Sequence, residues 1–252
     1  DQCVSGRPHL CVGYQALGVN TDGGFEEYVR IPEKAVRQGN VCSIADTLSY
    51  EEAAAVEPLS CVYNAFETYR VNPGDCVLIN GAGPIGCMHA MLALMAGASK
   101  VILNDLSEER LRYCQTLLPQ VEICCKDLSN YVSSATNGRG LDVCVTACPS
   151  KAAQEASLQL MGLFGRVCFF GGLPAAAKPV SIDSNLVHYR HLTLTGTSRS
   201  SLSQYRKCLE LVGNGVLPLA NLITHRFTLD QICEAFDFAA AANGMKSVIV
   251  FP

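Results

Sequence analysis

The sequence lacks any excess of basic charge. Its 19 Lys and Arg are outnumbered by 23 Asp and Glu, giving a net charge of −4, and the cations are dispersed along the chain. No basic stripe is available for nucleic acid, which is therefore excluded as an expected partner. Long apolar runs are also missing. The longest, around Met91-Leu92-Ala93-Leu94-Met95, falls far short of the ~20 residues a membrane-spanning helix needs. The chain opens at Asp1 with neither an initiator Met nor a signal peptide, and it is expected to be an internal piece of a longer chain. What is present is apolar residue: 252 residues at 49% hydrophobic can bury a sizeable core, as one large domain or two smaller ones. Fourteen cysteines would suggest disulfides in a short secreted protein. Here most, including Cys76, Cys87, Cys114, Cys144, Cys168, Cys208 and Cys233, fall inside expected strands and helices. They read as small buried hydrophobes in a reducing, cytoplasmic compartment.

The chain is organised around Val77-Leu78-Ile79-Asn80-Gly81-Ala82-Gly83-Pro84-Ile85-Gly86, a buried strand running into a glycine turn and then a helix. The glycines fit G-x-G-x-x-G: Gly81 for the tight turn, Gly83 for backbone approach to a pyrophosphate, Gly86 for close packing of helix on strand. Pro84 sits at the first helical position, where its missing N–H costs nothing. Donors to a phosphate should then come from Ile85 and Gly86, helped by the positive end of the helix dipole. The same pattern alone also describes a glycine-rich turn with no ligand. After the helix Pro84–Ala96 and a stop at Gly97, residues 100–104 read as a second strand ending at Asp105, nineteen residues past Gly86. An acid at that place accepts hydrogen bonds from the ribose hydroxyls of NAD and repels the 2′-phosphate of NADP. The competing reading of Asp105 is a helix cap before Ser107-Glu108-Glu109.

The alternation continues with a helix over 107–118, a third strand over 121–125, a helix over 128–135, a turn at Asn137-Gly138-Arg139-Gly140 and a strand over 141–147. A helix over 150–161, a strand over 166–170 followed by Gly171-Gly172, and a strand over 192–196 complete six strands. Strands separated by helices predict an α/β, doubly wound parallel sheet with its ligand at the carboxyl ends of the strands. Asp105, Thr146, Gly171, Gly172 and Thr197 fall at such ends and join Gly81, Gly83, Pro84, Ile85 and Gly86 as cofactor-binding candidates. Arg110, on the helix after Asp105, belongs with them. A helix over 202–212, a loop through Pro218, a helix over 229–242 and a strand over 247–251 end the chain.

Residues 1–56 lack this rhythm and read as part of an all-β domain, with Phe25–Ile31 as an alternating strand stopped by Pro32. Cys3 and Cys11, seven residues between them, are a metal half-site, a loop disulfide or simply two cysteines; two thiolates cannot complete a tetrahedral zinc site. Thr47 reads as the cap of a helix with Glu51 and Glu52 in its first turn. Glu57-Pro58 follows, ahead of a helical segment through Cys61, Tyr63 and Phe66. Glu57 stands among apolar residues, where a carboxylate needs a partner; otherwise it is a helix-terminal acid in water.

Taken together, four stretches resemble the zinc-dependent medium-chain alcohol and polyol dehydrogenases, on the sorbitol (L-iditol) and threonine dehydrogenase branch. They are Asp22-Gly23-Gly24-Phe25-Glu26-Glu27-Tyr28-Val29, Val56-Glu57-Pro58-Leu59, Gly81-Ala82-Gly83-Pro84-Ile85-Gly86 and Leu222-Ile223-Thr224-His225-Arg226-Phe227. The resemblance covers essentially the whole chain. It implies a Rossmann domain over 57–193, flanked by remnants of a β-rich, GroES-like catalytic domain at 1–56 and 194–252. It implies NAD and zinc as cofactors, Cys3 and Cys11 as the last two of four structural zinc ligands, and Glu57 at the catalytic metal as a ligand or holding its water. The other zinc ligands would lie before Asp1. Arg199 resembles the arginine that reaches the active site, with an exposed loop arginine as the alternative; His225 is read as structural. The implied reaction is the reversible oxidation of a small secondary alcohol or polyol to a ketone, in a homodimer or homotetramer. A zinc-free quinone reductase shares the fold but needs none of Cys3, Cys11 and Glu57, which argue against it. A non-catalytic NAD-binding module stays open.

Overall fold

The structure, a computed structural model, describes residues 2–177 and 179–252. In chain order the main elements are helices α1 (Glu33–Arg37) and α2 (Tyr50–Tyr69), then β1 (Cys76–Asn80), α3 (Pro84–Met95), β2 (Lys100–Asn104), α4 (Glu108–Leu117) and β3 (Glu122–Cys124). There follow α5 (Leu128–Ala135), β4 (Leu141–Thr146), α6 (Lys151–Ser157), β5 (Met161–Phe169), α7 (Ser184–Arg190) and β6 (Thr193–Gly196). The chain closes with α8 (Leu202–Gly213), β7 (Ile223–Phe227), α9 (Ile232–Ala240) and β8 (Lys246–Ile249). Two compact units share these elements: Cys61–Ser198 forms one, and residues up to Ser60 with Arg199–Pro252 form the other, the boundary falling inside α2.

The unit Cys61–Ser198 is built on one six-stranded sheet of order β3-β2-β1-β4-β5-β6, every pair parallel. This is the doubly wound arrangement in which the strand order reverses beside β1. All five residues of β1 are buried, because the central strand is covered on both faces. That explains why it reads as a continuous apolar run rather than an alternation. Each of Val77, Leu78 and Ile79 is completely excluded from solvent, and burying such a side chain contributes about 1.5–3 kcal/mol. On one face Leu78, Ile102 and Val167 pack with Val132 and Leu158. The sheet is level at one end. Asn80 pairs with Asn104 and with Thr146, Thr146 with Phe169, and Phe169 with Gly196, so the last residues of five strands form one row.

Several sequence expectations move by a turn or less. The helix expected to reach Met161 ends at Ser157, and Met161 instead opens β5, where it pairs with Leu141. The apolar end of a short helix and an entering buried strand look alike in sequence. The terminal helix begins only at Ile232, after a 3-10 turn over Leu229–Gln231, and α7 was not anticipated.

The other unit holds a two-stranded parallel sheet of β7 and β8, with α1, α8, α9 and the start of α2. The strand expected over Phe25–Ile31 does not form. Those residues run through bends, with Phe25 and Tyr28 exposed. Among the described residues no extended segment pairs with them, and an alternating run becomes a strand only when a partner satisfies its backbone. Thr47 is not the cap of α2 either. Its Oγ1 donates to the carbonyl of Gly213 at 3.2 Å. Ser49 caps instead: Glu52 N–H donates to Ser49 Oγ at 3.2 Å, and Ser49 N–H donates to Glu52 Oε2 at 3.3 Å, the reciprocal pattern of a capping box. The two helical segments expected on either side of Glu57-Pro58 are one helix with Pro58 inside it.

Among the described residues there is no disulfide. Six of the seven cysteines expected inside are buried. Cys233 is exposed, lying on the outer face of α9.

Candidate functional site

The carboxyl edge of the six-stranded sheet collects the sequence-expected cofactor residues. Gly81 follows Asn80 with φ +114°, a conformation that only glycine adopts without strain, and its N–H donates to Asn104 O at 2.7 Å. A side chain on Gly81 would also press on Ala147 O at 3.1 Å. A Cβ on Gly86 would overlap the carbonyl oxygen of Gly81, so the helix rests directly on the turn. Gly83 differs from both: a Cβ there would meet nothing nearer than Arg110 Nη1 at 4.0 Å. The three glycines thus serve a turn, an open approach and a close packing, as their spacing suggests. Pro84 opens α3 at its first position, and the first amide to close a helical bond is that of Cys87, to Gly83 O at 3.0 Å. The amides of Ile85 and Gly86 precede it at the positive end of the helix, where they can meet an anion beside the open space at Gly83.

Asp105 is half-buried one residue past the end of β2. Its Oδ2 accepts from Ala82 N–H at 2.7 Å and its Oδ1 from Ser107 N–H at 2.8 Å. The cap of α4 is Ser107, whose Oγ accepts from Arg110 N–H. Asp105 therefore ties the second strand to the glycine turn and leaves capping to its neighbour. Arg110 stands half-buried on α4 beside Gly83.

At the end of β4 the hydroxyl of Thr146, fully buried, faces Cys168 O at 3.4 Å, while Thr146 O accepts from Gly171 N–H at 2.8 Å. Gly171 is wedged: a Cβ would come within 2.5 Å of Cys148 O. Gly172 beside it is open, a Cβ there meeting nothing within 4 Å among the described residues. Thr197, one residue past β6, keeps a buried Oγ1 with no hydrogen-bond partner among the described residues. An orphaned buried hydroxyl costs ~1–3 kcal/mol, and here it stands at the same edge as the open glycines. These features fit a dinucleotide: open backbone at Gly83 and Gly172, helix amides, an acid and an unanswered hydroxyl.

Sequence reasoning missed two groups at this edge. Gln154, on α6 and 5% exposed, donates from Nε2 to Gly171 O at 2.9 Å. Cys148 lies against both Gly81 and Gly171, and burial, reinforced by the Asp105 charge, raises its thiol pKa and keeps it protonated. Neither has a sequence signal, since each is placed by long-range packing. Two cavities lie elsewhere. One of about 760 Å³ falls wholly in the other unit, between residues 44–54 and 248–251, and one of about 380 Å³ opens at the amino ends of β4 and β5.

In the other unit Cys3 is exposed and Cys11 half-buried. The Cys11 thiol is held below its ordinary pKa by the Gly13 N–H at 3.4 Å, then by a hydrogen bond with Cys3, with Lys34 adding to it. The two cysteines are thus side by side. Glu57 is exposed on α2. Arg199 takes φ +63°, donates from Nη1 to His9 O at 3.0 Å and lies 4.0 Å over the ring of Tyr14. His225 bonds Thr224 Oγ1 at 2.9 Å and packs on Phe238, in keeping with a structural role. Among the described residues no group of three or more His, Cys, Asp or Glu side chains is placed to hold a metal ion. A closed four-ligand zinc site does not fit these residues by themselves. Among them, too, no helix is long and apolar enough to cross a membrane.

A parallel sheet in this strand order, with a glycine turn after β1 and an acid after β2, defines the class of dinucleotide-binding oxidoreductase folds. Residues 84–214, more than half of the chain, match the zinc-binding dehydrogenase family. The chain is 30% identical over 253 aligned residues to an L-threonine 3-dehydrogenase of Ruegeria pomeroyi, spanning 99% of this chain and 70% of that one. A zinc-binding dehydrogenase structure from Sinorhizobium meliloti bound to NADP superposes with a TM-score of 0.88 at 27% identity, covering 99% of this chain and 72% of that one. An alcohol dehydrogenase from a Thermus species gives 0.85 at 26% identity, over 99% and 72%. The chain belongs to the zinc-binding dehydrogenase family, and the family resemblance read from its four motifs is borne out.

Proposed function

We propose that the carboxyl edge of the sheet binds NAD in preference to NADP and that the protein interconverts a small secondary alcohol or polyol with its ketone. The observation that carries this is Asp105. Its carboxylate lies at the end of β2, bonded to the glycine turn, where it can accept from ribose hydroxyls and where a 2′-phosphate would meet its charge. The relatives support the alcohol class, since the C3 hydroxyl of L-threonine is a secondary alcohol. When bound, NAD would supply the hydride acceptor for oxidation of the alcohol carbon. The chain's own part is to seat the pyrophosphate on the amides of Ile85 and Gly86, with Arg110 beside Gly83, and to hold the ribose at Asp105. Gly171, Gly172, Thr146 and Thr197 would line the rest of the cofactor. Glu57 and Arg199 are assigned to the alcohol, and Cys3 with Cys11 to half of a structural metal set. The described residues alone do not complete a zinc site. A homodimer or homotetramer in the cytoplasm, acting on a small molecule, completes the reading.

The test is fluorescence titration with NADH and NADPH, before and after Asp105→Ser. Removing a charge-assisted acceptor should weaken NADH by about 1.5–3 kcal/mol and narrow its advantage over NADPH. Tighter NADPH than NADH binding in the unmutated protein would end the NAD assignment. The ligand count also favours a second reading, in which residues 1–252 alone bind NAD without oxidising alcohols. Chelator-sensitive alcohol oxidation by this chain, with zinc found by metal analysis, would exclude it.

A further inference from the structure

Behind the cofactor edge, inside the same unit, two aromatic side chains, Tyr69 of α2 and Phe170 just after β5, flank a histidine of α3 for which the cofactor reading has no use. His89 is completely buried. Its Nδ1 lies 3.1 Å from the hydroxyl of Tyr69, itself 1% exposed. Its Nε2 is buried with no hydrogen-bond partner among the described residues. The imidazole stands edge-to-face with Phe170, ring centroids 4.8 Å apart and planes at 86°. Phe170 directly follows β5 and precedes Gly171-Gly172.

Counting donors decides the tautomer. If Nδ1 carried the proton and gave it to Tyr69, the phenol hydrogen would be buried without an acceptor and the Nε2 lone pair without a donor. If Tyr69 O–H donates to Nδ1, the phenol is satisfied and one group is left over, the Nε2–H. A perpendicular aromatic ring at this distance can accept that proton on its negative face. We propose that His89 is the Nε2–H tautomer, donates to the face of Phe170, and through that ring positions the Phe170–Gly171–Gly172 backbone at the cofactor edge. The positioning role rests on the cofactor reading above. Gly171 is then held from three directions: by Thr146 O, by the Gln154 amide and by the ring before it in the chain. Gly172 is left to present open backbone. His89 is a positioning residue, acting through Phe170 without touching cofactor.

The experiment is two-part. Nitrogen NMR of histidine-labelled protein, with the His89 signals identified by their loss in His89→Gln, should show a protonated Nε2 and an unprotonated Nδ1. The Nε2–H proton should be shifted upfield by the ring current of Phe170 and lose that shift in Phe170→Leu. Phe170→Leu should also weaken NADH binding about three- to tenfold, while Phe170→Tyr, which keeps the ring face, restores it. A protonated Nδ1, or an Nε2–H shift indifferent to Phe170, overturns the tautomer and the contact. The expected tautomer with unchanged NADH affinity in Phe170→Leu overturns the positioning role. An unmutated protein that binds neither NADH nor NADPH overturns the cofactor reading and the positioning role with it, while the NMR result then stands for the contact alone.

Discussion

At the scale of single residues, the glycines of the turn show that one motif carries separable physical demands. Gly86 is required by the fold, because its α-hydrogen points at the Gly81 carbonyl. Gly83 is not, because it has an ordinary φ of −77° and faces open space. Gly86→Ala should therefore lower stability by ~1–3 kcal/mol, the usual cost of overpacking a site that cannot yield. Gly83→Val should melt close to the unmutated protein yet fail to bind NADH. Thermal melts paired with NADH titration separate the two, and a Gly83→Val protein that binds NADH normally would remove the pyrophosphate from this turn. Asp105 gives a related lesson. Its position was readable by counting from Gly86, but its hydrogen bond to Ala82 N–H was not, since that bond depends on β1 and β2 lying side by side in level register.

Among elements, α2 departs from its sequence expectation at its start and at its proline. A threonine followed by acids looks like a helix start, and Pro58 looks like a break. In the fold the helix begins two residues later and runs through the proline. Ser49 takes the cap because Glu52 lies three residues on and can return the bond, whereas Thr47 is drawn off to Gly213. Ser49→Ala should thus cost about 1 kcal/mol in denaturant unfolding, and Thr47→Ala clearly less. Equal losses would mean that the box does not set the helix start. The alternating run at Phe25–Ile31 misled for a complementary reason: alternation reports which residues could share a face, and pairing needs a second strand.

Across the whole molecule, the buried histidine gives stability a pH dependence. Burial pushes His89 down to about 3 from an ordinary 6.5. Between those values the unfolded chain holds a proton that the folded chain refuses, so stability is full above about pH 6.5 and is lost as pH falls toward 3. The contribution approaches ~1.4 kcal/mol for each pH unit inside that window. Denaturation of the unmutated protein and His89→Gln at about pH 6 and pH 5 should show a shallower loss in the variant. Parallel slopes would mean that His89 is not buried in its neutral form.

The local signals in the sequence determined the sheet and the residues that gather at its carboxyl edge: apolar runs five residues long, glycine spacing, and an acid nineteen residues past Gly86. Each of these acts over a few residues or one βαβ unit, and the doubly wound topology leaves them few alternatives. Only the tertiary structure decided which side chains meet across the chain. Gln154 on Gly171, Cys148 between two glycines, and Tyr69, His89 and Phe170 in one buried group are contacts between stretches far apart in the chain. The contacts made within the sheet unit leave no periodicity to read, because packing fixes them only after the strands are in register.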